Sequence, residues 1–208
     1  MIKVAINGFG RIGRNAFKII LDEHSAQAQV VGINDLTDAK TLAHLLKYDT
    51  SYRTYNHAIS SDEKHIIVDG RAYEIFAEKD PSKLPWGNLG VDVVIESTGR
   101  FTDYEGSEQH LKAGAKKVVI SAPAKGGKVG TYLMGVNADK YKPEEKIINN
   151  ASCTTNCIAP VAAVMHAKFG IAKAMMTTVH SYTADQNLQD GPHKDLRRAR
   201  AAAENITP

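Results

Sequence analysis

Apolar and polar positions follow two rhythms along the chain. Short apolar runs at Ile2–Asn7, Gln29–Asn34, Val91–Glu96, Lys117–Ile120 and Lys146–Asn149 read as buried strands. Between the first two, Ile12, Ala16, Ile19 and Ile20 recur at helical spacing. A second helix is expected after Thr37, with Leu42, Leu45 and Leu46 on its inner face. A third is expected near Thr102, where Thr102-x-x-Glu105 has capping-box spacing, with a stop at Gly114. Strands alternating with helices predict a parallel α/β sheet. His65–Val68 and Ala72–Phe76 flank Asp69-Gly70, a hairpin signal.

The last third changes rhythm. Thr154–Phe169 predicts a helix, with Ile158, Val161, Ala162, Met165 and Phe169 on one face and Gly170 as its stop. Pro160 is read as sitting early in it, since proline is tolerated best in the first turn. Ala172–Val179 reads as another strand, and Ser181–Arg200 as a long polar loop.

Composition narrows the class. The 208 residues are 43% hydrophobic and 24% charged, enough to bury a sizeable core, and the net charge of +3 does not call for a nucleic-acid or membrane partner. No apolar run reaches the roughly 20 residues of a membrane span, and Met1–Ile6 does not look like a signal peptide. Cys153 and Cys157 are too few for a disulfide framework or a structural zinc site, so no metal is expected and a reduced, cytoplasmic setting is.

Gly8-Phe9-Gly10-Arg11-Ile12-Gly13 is a G-x-G-x-x-G turn between a strand and a helix. Asp35, at the end of the next strand, stands where an acidic residue meets an adenosine ribose. A carboxylate there repels a 2′-phosphate, which favours NAD over NADP. Glu96-Ser97-Thr98-Gly99 and Ser121-Ala122-Pro123-Ala124 close later strands, at the edge where ligands collect in doubly wound sheets; for Ser121 an ordinary turn is an equal reading. The fold expected is therefore a Rossmann-type, doubly wound, mainly parallel α/β sheet.

Cys153 lies at a predicted helix start, where the macrodipole favours a thiolate, and is the candidate nucleophile. Cys157, one turn on, is expected to be buried and inert. His180, closing the predicted Ala172–Val179 strand, is the best-placed base. His24, His44, His110 and His166 read as solvated on helical surfaces, and His57, His65 and His193 lack a chemical context.

Asn7–Arg14, Glu96–Gly99, Met134–Asn137, Ala151–Cys157 and Val179–Thr183, in this order, resemble the phosphorylating glyceraldehyde-3-phosphate dehydrogenases from residue 1 to residue 208. The resemblance implies an NAD-binding domain over 1–151 and, over 152–208, the incomplete start of an α+β catalytic domain. It implies Asn7, Gly8, Gly10, Arg11, Ile12, Gly13, Asp35, Ser97, Thr98, Gly99 and Ser121 as cofactor-binding residues. Cys153 would form a thiohemiacetal and then a thioester, His180 would take the proton, and inorganic phosphate would release an acyl phosphate, all within glycolysis. Ser152 and Thr154 would help hold the attacking phosphate, Thr183 and Arg200 the substrate phosphate. Lys194, Arg197 and Arg198 read as a solvated basic stretch. A homotetramer is the family expectation. Further phosphate and nicotinamide ligands of the family are expected beyond Pro208, so the 208 residues alone are expected to turn over weakly or not at all. The alternatives are an erythrose-4-phosphate dehydrogenase and a nonenzymatic NAD- or nucleic-acid-binding fragment, nucleic acid being disfavoured.

Overall fold

In the computed structural model, which describes all 208 residues, the chain runs β1 (Ile2–Asn7), α1 (Arg11–Glu23), β2 (Ala28–Asn34), α2 (Ala39–Lys47), β3 (Tyr48–Asp49) and β4 (Arg53–Thr54). It continues through β5 (Ile59–Ser61), β6 (His65–Val68), β7 (Arg71–Phe76), α3 (Trp86–Leu89), β8 (Val93–Glu96), α4 (Tyr104–Lys112), β9 (Lys117–Ile120), β10 (Gly130–Thr131), β11 (Ile147–Asn149) and α5 (Cys153–Phe169). Nine strands form one sheet in the order β10-β11-β9-β8-β1-β2-β7-β6-β5. From β10 to β7 every pairing is parallel, and β6 and β5 add an antiparallel edge. The expected doubly wound sheet is thus present, with the order reversing at β1. No helix is long and apolar enough to cross a membrane.

Residues that alternate along β1 face opposite cores. Ile6 joins Phe9, Phe17, Ile33, Leu42 and Leu46 on one face, while Ala5 joins Trp86, Val91, Val94, Val118 and Ile120 on the other. Phe17 is fully buried between Phe9 and Tyr73, in edge-to-face contact with both. Burial of such a ring contributes about 1.5–3 kcal/mol. The Asp69-Gly70 turn is as expected: both residues have positive φ, 49° and 82°, which matches the twist of the hairpin it closes.

Several sequence expectations need correction. The inner face of α1 is Gly13 and Phe17, with Ile20 and Leu21 beside them; Ile12 and Ile19 are exposed. On α2 the buried set is Ala39, Leu42, Ala43 and Leu46, and Leu45 faces out. Asp103, not Thr102, caps α4, because its carboxylate accepts from Gly106 N at 2.7 Å; Thr102 is buried. Pro160 lies well inside α5 rather than in its first turn.

The chain divides by compactness into Met1–Lys168 and Phe169–Pro208, whereas the motifs place a boundary at 151. In the second unit Ala172–Val179 is not a strand: it pairs with nothing as a ladder, and Met175 and Val179 are fully exposed. Alternating apolar residues make a segment suited to a sheet, but a strand exists only through hydrogen bonds to a neighbour. Phe169–Pro208 is instead held by a turn, Gln186 N to Thr183 O, and by backbone bonds between separate loop segments, Gly191 N to Ala199 O and Ala202 N to Asn187 O.

Candidate nucleotide cleft and nucleophile

The β1–α1 turn allows backbone to come close where side chains would block it. Gly8 has φ +90°, and a Cβ there would stand 2.7 Å from Thr98 N; a Cβ on Gly13 would stand 2.1 Å from Gly8 O. Arg14 Nη1 donates to Phe9 O at 2.9 Å and braces the turn from behind. Gly10 precedes α1 without a side-chain cap, whereas Asp38 and Asp103 cap α2 and α4. The first N–H groups of α1 are therefore left for an anion.

Above this turn opens a cleft of about 310 Å³, lined by Asn7, Gly8, Gly10, Asp35, Ser97 and Thr98 among the expected residues. Asp35 Oδ2 accepts from Phe9 N at 2.7 Å and Oδ1 from Thr37 N at 2.9 Å, which fixes the carboxylate at the rim. Leu36 and Phe101 also line it, together with Glu78, Lys79 and Arg100, none of them singled out by the sequence. Exposed Leu36 was the detectable signal, a large apolar residue directly after the acidic one. An uncapped helix start, glycine backbone, a fixed carboxylate and two apolar walls suit the phosphates, ribose and flat base of a dinucleotide.

Other expected cofactor residues lie outside the lining. The Arg11 guanidinium forks onto Asp49 at 2.8 and 3.1 Å and lies over the Tyr52 ring. That contact holds the Asp49 carboxyl well below the usual carboxylate range. Neither Arg11 nor Ile12 lines the cleft; both stand at the helix start, where their backbone N–H groups are available to a ligand. Gly13 lets α1 pack on the turn, Gly99 has φ +73°, and Ser121 N donates to Glu96 O.

Behind the cleft lies a buried polar network that corrects the reading of His110 as solvated. His110 and Glu96 are 0% and 1% exposed. Trp86 Nε1 donates to His110 Nδ1 at 3.0 Å, so the ring proton sits on Nε2 and is donated to Glu96 Oε2 at 3.0 Å. Asn7 Nδ2 donates to the same oxygen, and Thr98 N and Oγ1 donate to Glu96 Oε1. Asn34 Nδ2 donates to Asn7 Oδ1 at 2.7 Å. The Asn7 amide is thus bonded into the wall.

The nucleophile candidate follows a strained turn. Ala151 has φ +59° and is held by Asn149 Oδ1, which accepts its N–H at 2.9 Å. Ser152 Oγ then accepts from Thr155 N at 2.9 Å and caps α5, so Cys153 is the first helical residue. Asn156 Nδ2 reaches back to Asn150 O and Ser152 O, at 2.7 and 3.0 Å. Asn149 and Asn156 are thus supporting residues that the sequence reading passed over. Thr154 is half-buried beside this turn. Cys157 is exposed, as is Cys153, so the expected burial of Cys157 is wrong. Its helix face, with Ile158, Val161, Met165 and Phe169, is exposed too.

His180 stands in the second unit, in irregular backbone. Its Nδ1 lies 2.6 Å from Ser181 O, and because a carbonyl only accepts, Nδ1 carries the proton and Nε2 is the basic nitrogen of the neutral ring. Thr183 Oγ1 donates to Asp185, and Arg200 Nε donates to Asp190 Oδ1 at 3.1 Å. Both expected phosphate ligands have acidic partners here. Arg197 and Arg198 pair with Asp195 and Asp185, so the basic stretch is largely neutralised locally.

Comparison with known proteins places the chain among named relatives. A family model described as the NAD binding domain of glyceraldehyde 3-phosphate dehydrogenase matches residues 2–104, and one for its C-terminal domain matches 152–208. The chain belongs to the glyceraldehyde-3-phosphate dehydrogenase family. Glyceraldehyde-3-phosphate dehydrogenase of Thermotoga maritima is 60% identical over the whole chain, that of Geobacillus stearothermophilus 58%, and glyceraldehyde-3-phosphate dehydrogenase 1 of Bacillus subtilis 56%. The chain spans 62%, 61% and 61% of these three relatives. The glyceraldehyde-3-phosphate dehydrogenase NAD-domain match covers the glycine turn, Asp35 and the Ser97–Thr98 loop, and the second match opens at Ser152, directly before Cys153.

Proposed function

We propose that the chain is the cofactor-binding and nucleophile-bearing part of an NAD-dependent enzyme that oxidises glyceraldehyde 3-phosphate to 1,3-bisphosphoglycerate with inorganic phosphate, a step of glycolysis. The observation that carries the reading is the cleft over the glycine turn, with Asp35 fixed at its rim, in a chain of this family. The functional boundary is taken at 151/152. Gly8, Gly10 and the α1 start would hold the pyrophosphate, Asp35 the ribose, and Leu36 and Phe101 the base. NAD, when bound, supplies the hydride acceptor.

The remaining chemistry belongs to this chain's residues. Cys153 Sγ bonds to the aldehyde carbon as the C=O π bond opens, and the thiol proton passes to the carbonyl oxygen, which becomes a hydroxyl. His180 Nε2 takes that hydroxyl proton as the carbon loses hydride, leaving a thioester on Cys153. Backbone N–H groups at the α5 start favour the developing oxyanion. An oxygen of inorganic phosphate, positioned with Ser152 and Thr154, attacks the thioester carbon, the C–S bond breaks, and the thiolate returns. Thr183 and Arg200 would hold the substrate phosphate, exchanging Asp185 and Asp190 for its oxygens. A cytoplasmic homotetramer completes the proposal.

The test is calorimetry of NAD on this chain, followed by phosphate-dependent NADH formation by the chain carried to its relatives' length. Glyceraldehyde 3-phosphate should outperform erythrose 4-phosphate, and Cys153→Ser should abolish the rate. Turnover that survives Cys153→Ser, or that prefers erythrose 4-phosphate, would overturn the assignment.

A further inference from the structure

Glu96 and His110 are the one buried pair of titratable side chains bonded to each other that the proposed chemistry does not use. Burying such groups is costly unless every polar atom finds a partner. Here they do: the Glu96 carboxylate receives four donations, and both ring nitrogens of His110 are engaged. Apolar residues of similar volume could fill this space. What the polar set adds is direction, because each bond admits one orientation of its neighbour.

We propose that the Trp86–His110–Glu96 relay is a positioning device for the nucleotide, setting the width of the cleft from behind; the proposal rests on the NAD reading above. Its output is the Thr98 segment. Glu96 Oε1 holds Thr98 through both its N–H and its hydroxyl, and Arg100 N donates to that hydroxyl at 3.1 Å. Thr98 N is also the atom nearest a Cβ built on Gly8, so Thr98 and the glycine turn form two closely opposed walls. Glu96 Oε2 simultaneously fixes Asn7, which carries Asn34; Asn34 in turn exchanges hydrogen bonds with Glu78 N and O at 2.9 Å. One carboxylate thus ties three cleft-lining segments, at Asn7, Asn34–Glu78 and Thr98, to one reference. His110 orients that carboxylate, and Trp86 selects the His110 tautomer that can do so. His110 itself is a positioning residue with no contact to the cleft.

Trp86 is the only tryptophan, so its emission reports the relay directly. The experiment titrates NAD into the unmutated chain, His110→Leu, His110→Gln and Trp86→Phe by calorimetry, and into the first three by Trp86 fluorescence, well below each melting temperature. His110→Leu should weaken NAD about tenfold. His110→Gln, which retains a donor for Glu96, should recover most of that loss although both variants melt lower. NAD should shift Trp86 emission in the unmutated chain and not in His110→Leu. A merely structural role would lower melting in both variants and leave NAD affinity equal, which overturns the proposal. If His110→Leu does not fold, Trp86→Phe, which leaves the cleft lining intact, decides by calorimetry: weakened binding supports the relay, unchanged binding overturns it. Absence of NAD binding in the unmutated chain would instead remove the cofactor reading itself.

Discussion

Phe9 donates its backbone N–H to Asp35 Oδ2 at 2.7 Å, so the glycine turn and the acidic residue at the end of β2 are one unit. Asp35 thereby has two tasks, holding the turn and offering its carboxylate at the cleft rim. Asp35→Asn should retain part of the first task and lose most of the second. NAD affinity should fall by about 1.5–3 kcal/mol, the range for a hydrogen bond to a charged group. NADP, repelled by the carboxylate in the unmutated chain, should lose much less. Calorimetry with both nucleotides checks this, and equal NAD and NADP affinities before mutation would remove Asp35 from the ribose site.

The two cysteines should differ in reactivity for a reason other than burial. Both are exposed, so access does not separate them. Cys153 is the first residue of α5, whereas Cys157 is one turn inside, where the helix dipole has faded. Brief iodoacetamide labelling near neutral pH, with peptide mapping, should find Cys153 modified several times faster. Comparable rates at the two positions would show that the helix start does not activate Cys153.

His57, left without a role by sequence, clips α1 to the β6–β7 turn. Its Nδ1 lies 2.5 Å from Asp69 Oδ2 and its Nε2 3.1 Å from Asp22 Oδ1. The hydrogen bond to Asp69 does most to push the His57 pKa up; burial opposes it, and the charges of Asp69 and Asp22 add smaller raising contributions. A raised histidine pKa stabilises the fold fully below the unfolded value of about 6.5 and loses that contribution as pH rises through the folded value. Asp69 is held low, chiefly by His57, so its contribution is lost as pH falls through its own folded value. The stability difference between the unmutated chain and His57→Gln should therefore be largest near pH 5–6 and shrink on the alkaline side. Urea midpoints across pH measure it; a difference that grows toward high pH contradicts the clip.

Local backbone chemistry explains what was legible beforehand. The Gly8–Gly13 turn, Asp35 and the Asp69-Gly70 hairpin carry their instructions within a few residues, and each appears where expected. His110 could not be read this way. It stands in a helix that is mostly polar, among Glu105, Glu108, Gln109 and Lys112, and its burial is decided by Trp86, Glu96 and Asn7, which come from three other elements. The α1 face misled because exposed Ile12 and Ile19 repeat with Ala16 at helical spacing on a different face from buried Gly13 and Phe17. Ala172–Val179 has the composition of a strand, but pairing depends on a neighbour that no property of the segment reveals.

That unpaired segment motivates the last prediction. Amides in β1, β8 and β9 donate within parallel ladders at the centre of the sheet, flanked by both apolar cores. Residues 172–180 have no ladder, and their side chains are exposed. Exchange protection follows buried, hydrogen-bonded backbone, so the two regions should lie at opposite ends of the range. In hydrogen–deuterium exchange on the 208-residue chain, peptides over 172–180 should be fully exchanged at the earliest time point, while Ile2–Asn7, Val93–Glu96 and Lys117–Ile120 stay protected longest. The functional consequence is a separation of binding from turnover. NAD should bind, because the cleft belongs to the protected sheet, but phosphate-dependent NADH formation should be weak or absent, because His180, the proposed base, sits in the exchanging segment and a misplacement of about 1 Å can cost about a hundredfold in rate. Protection of 172–180 comparable with β1, or brisk Cys153-dependent turnover from the 208 residues alone, would show that His180 is held far better than its backbone hydrogen bonds provide.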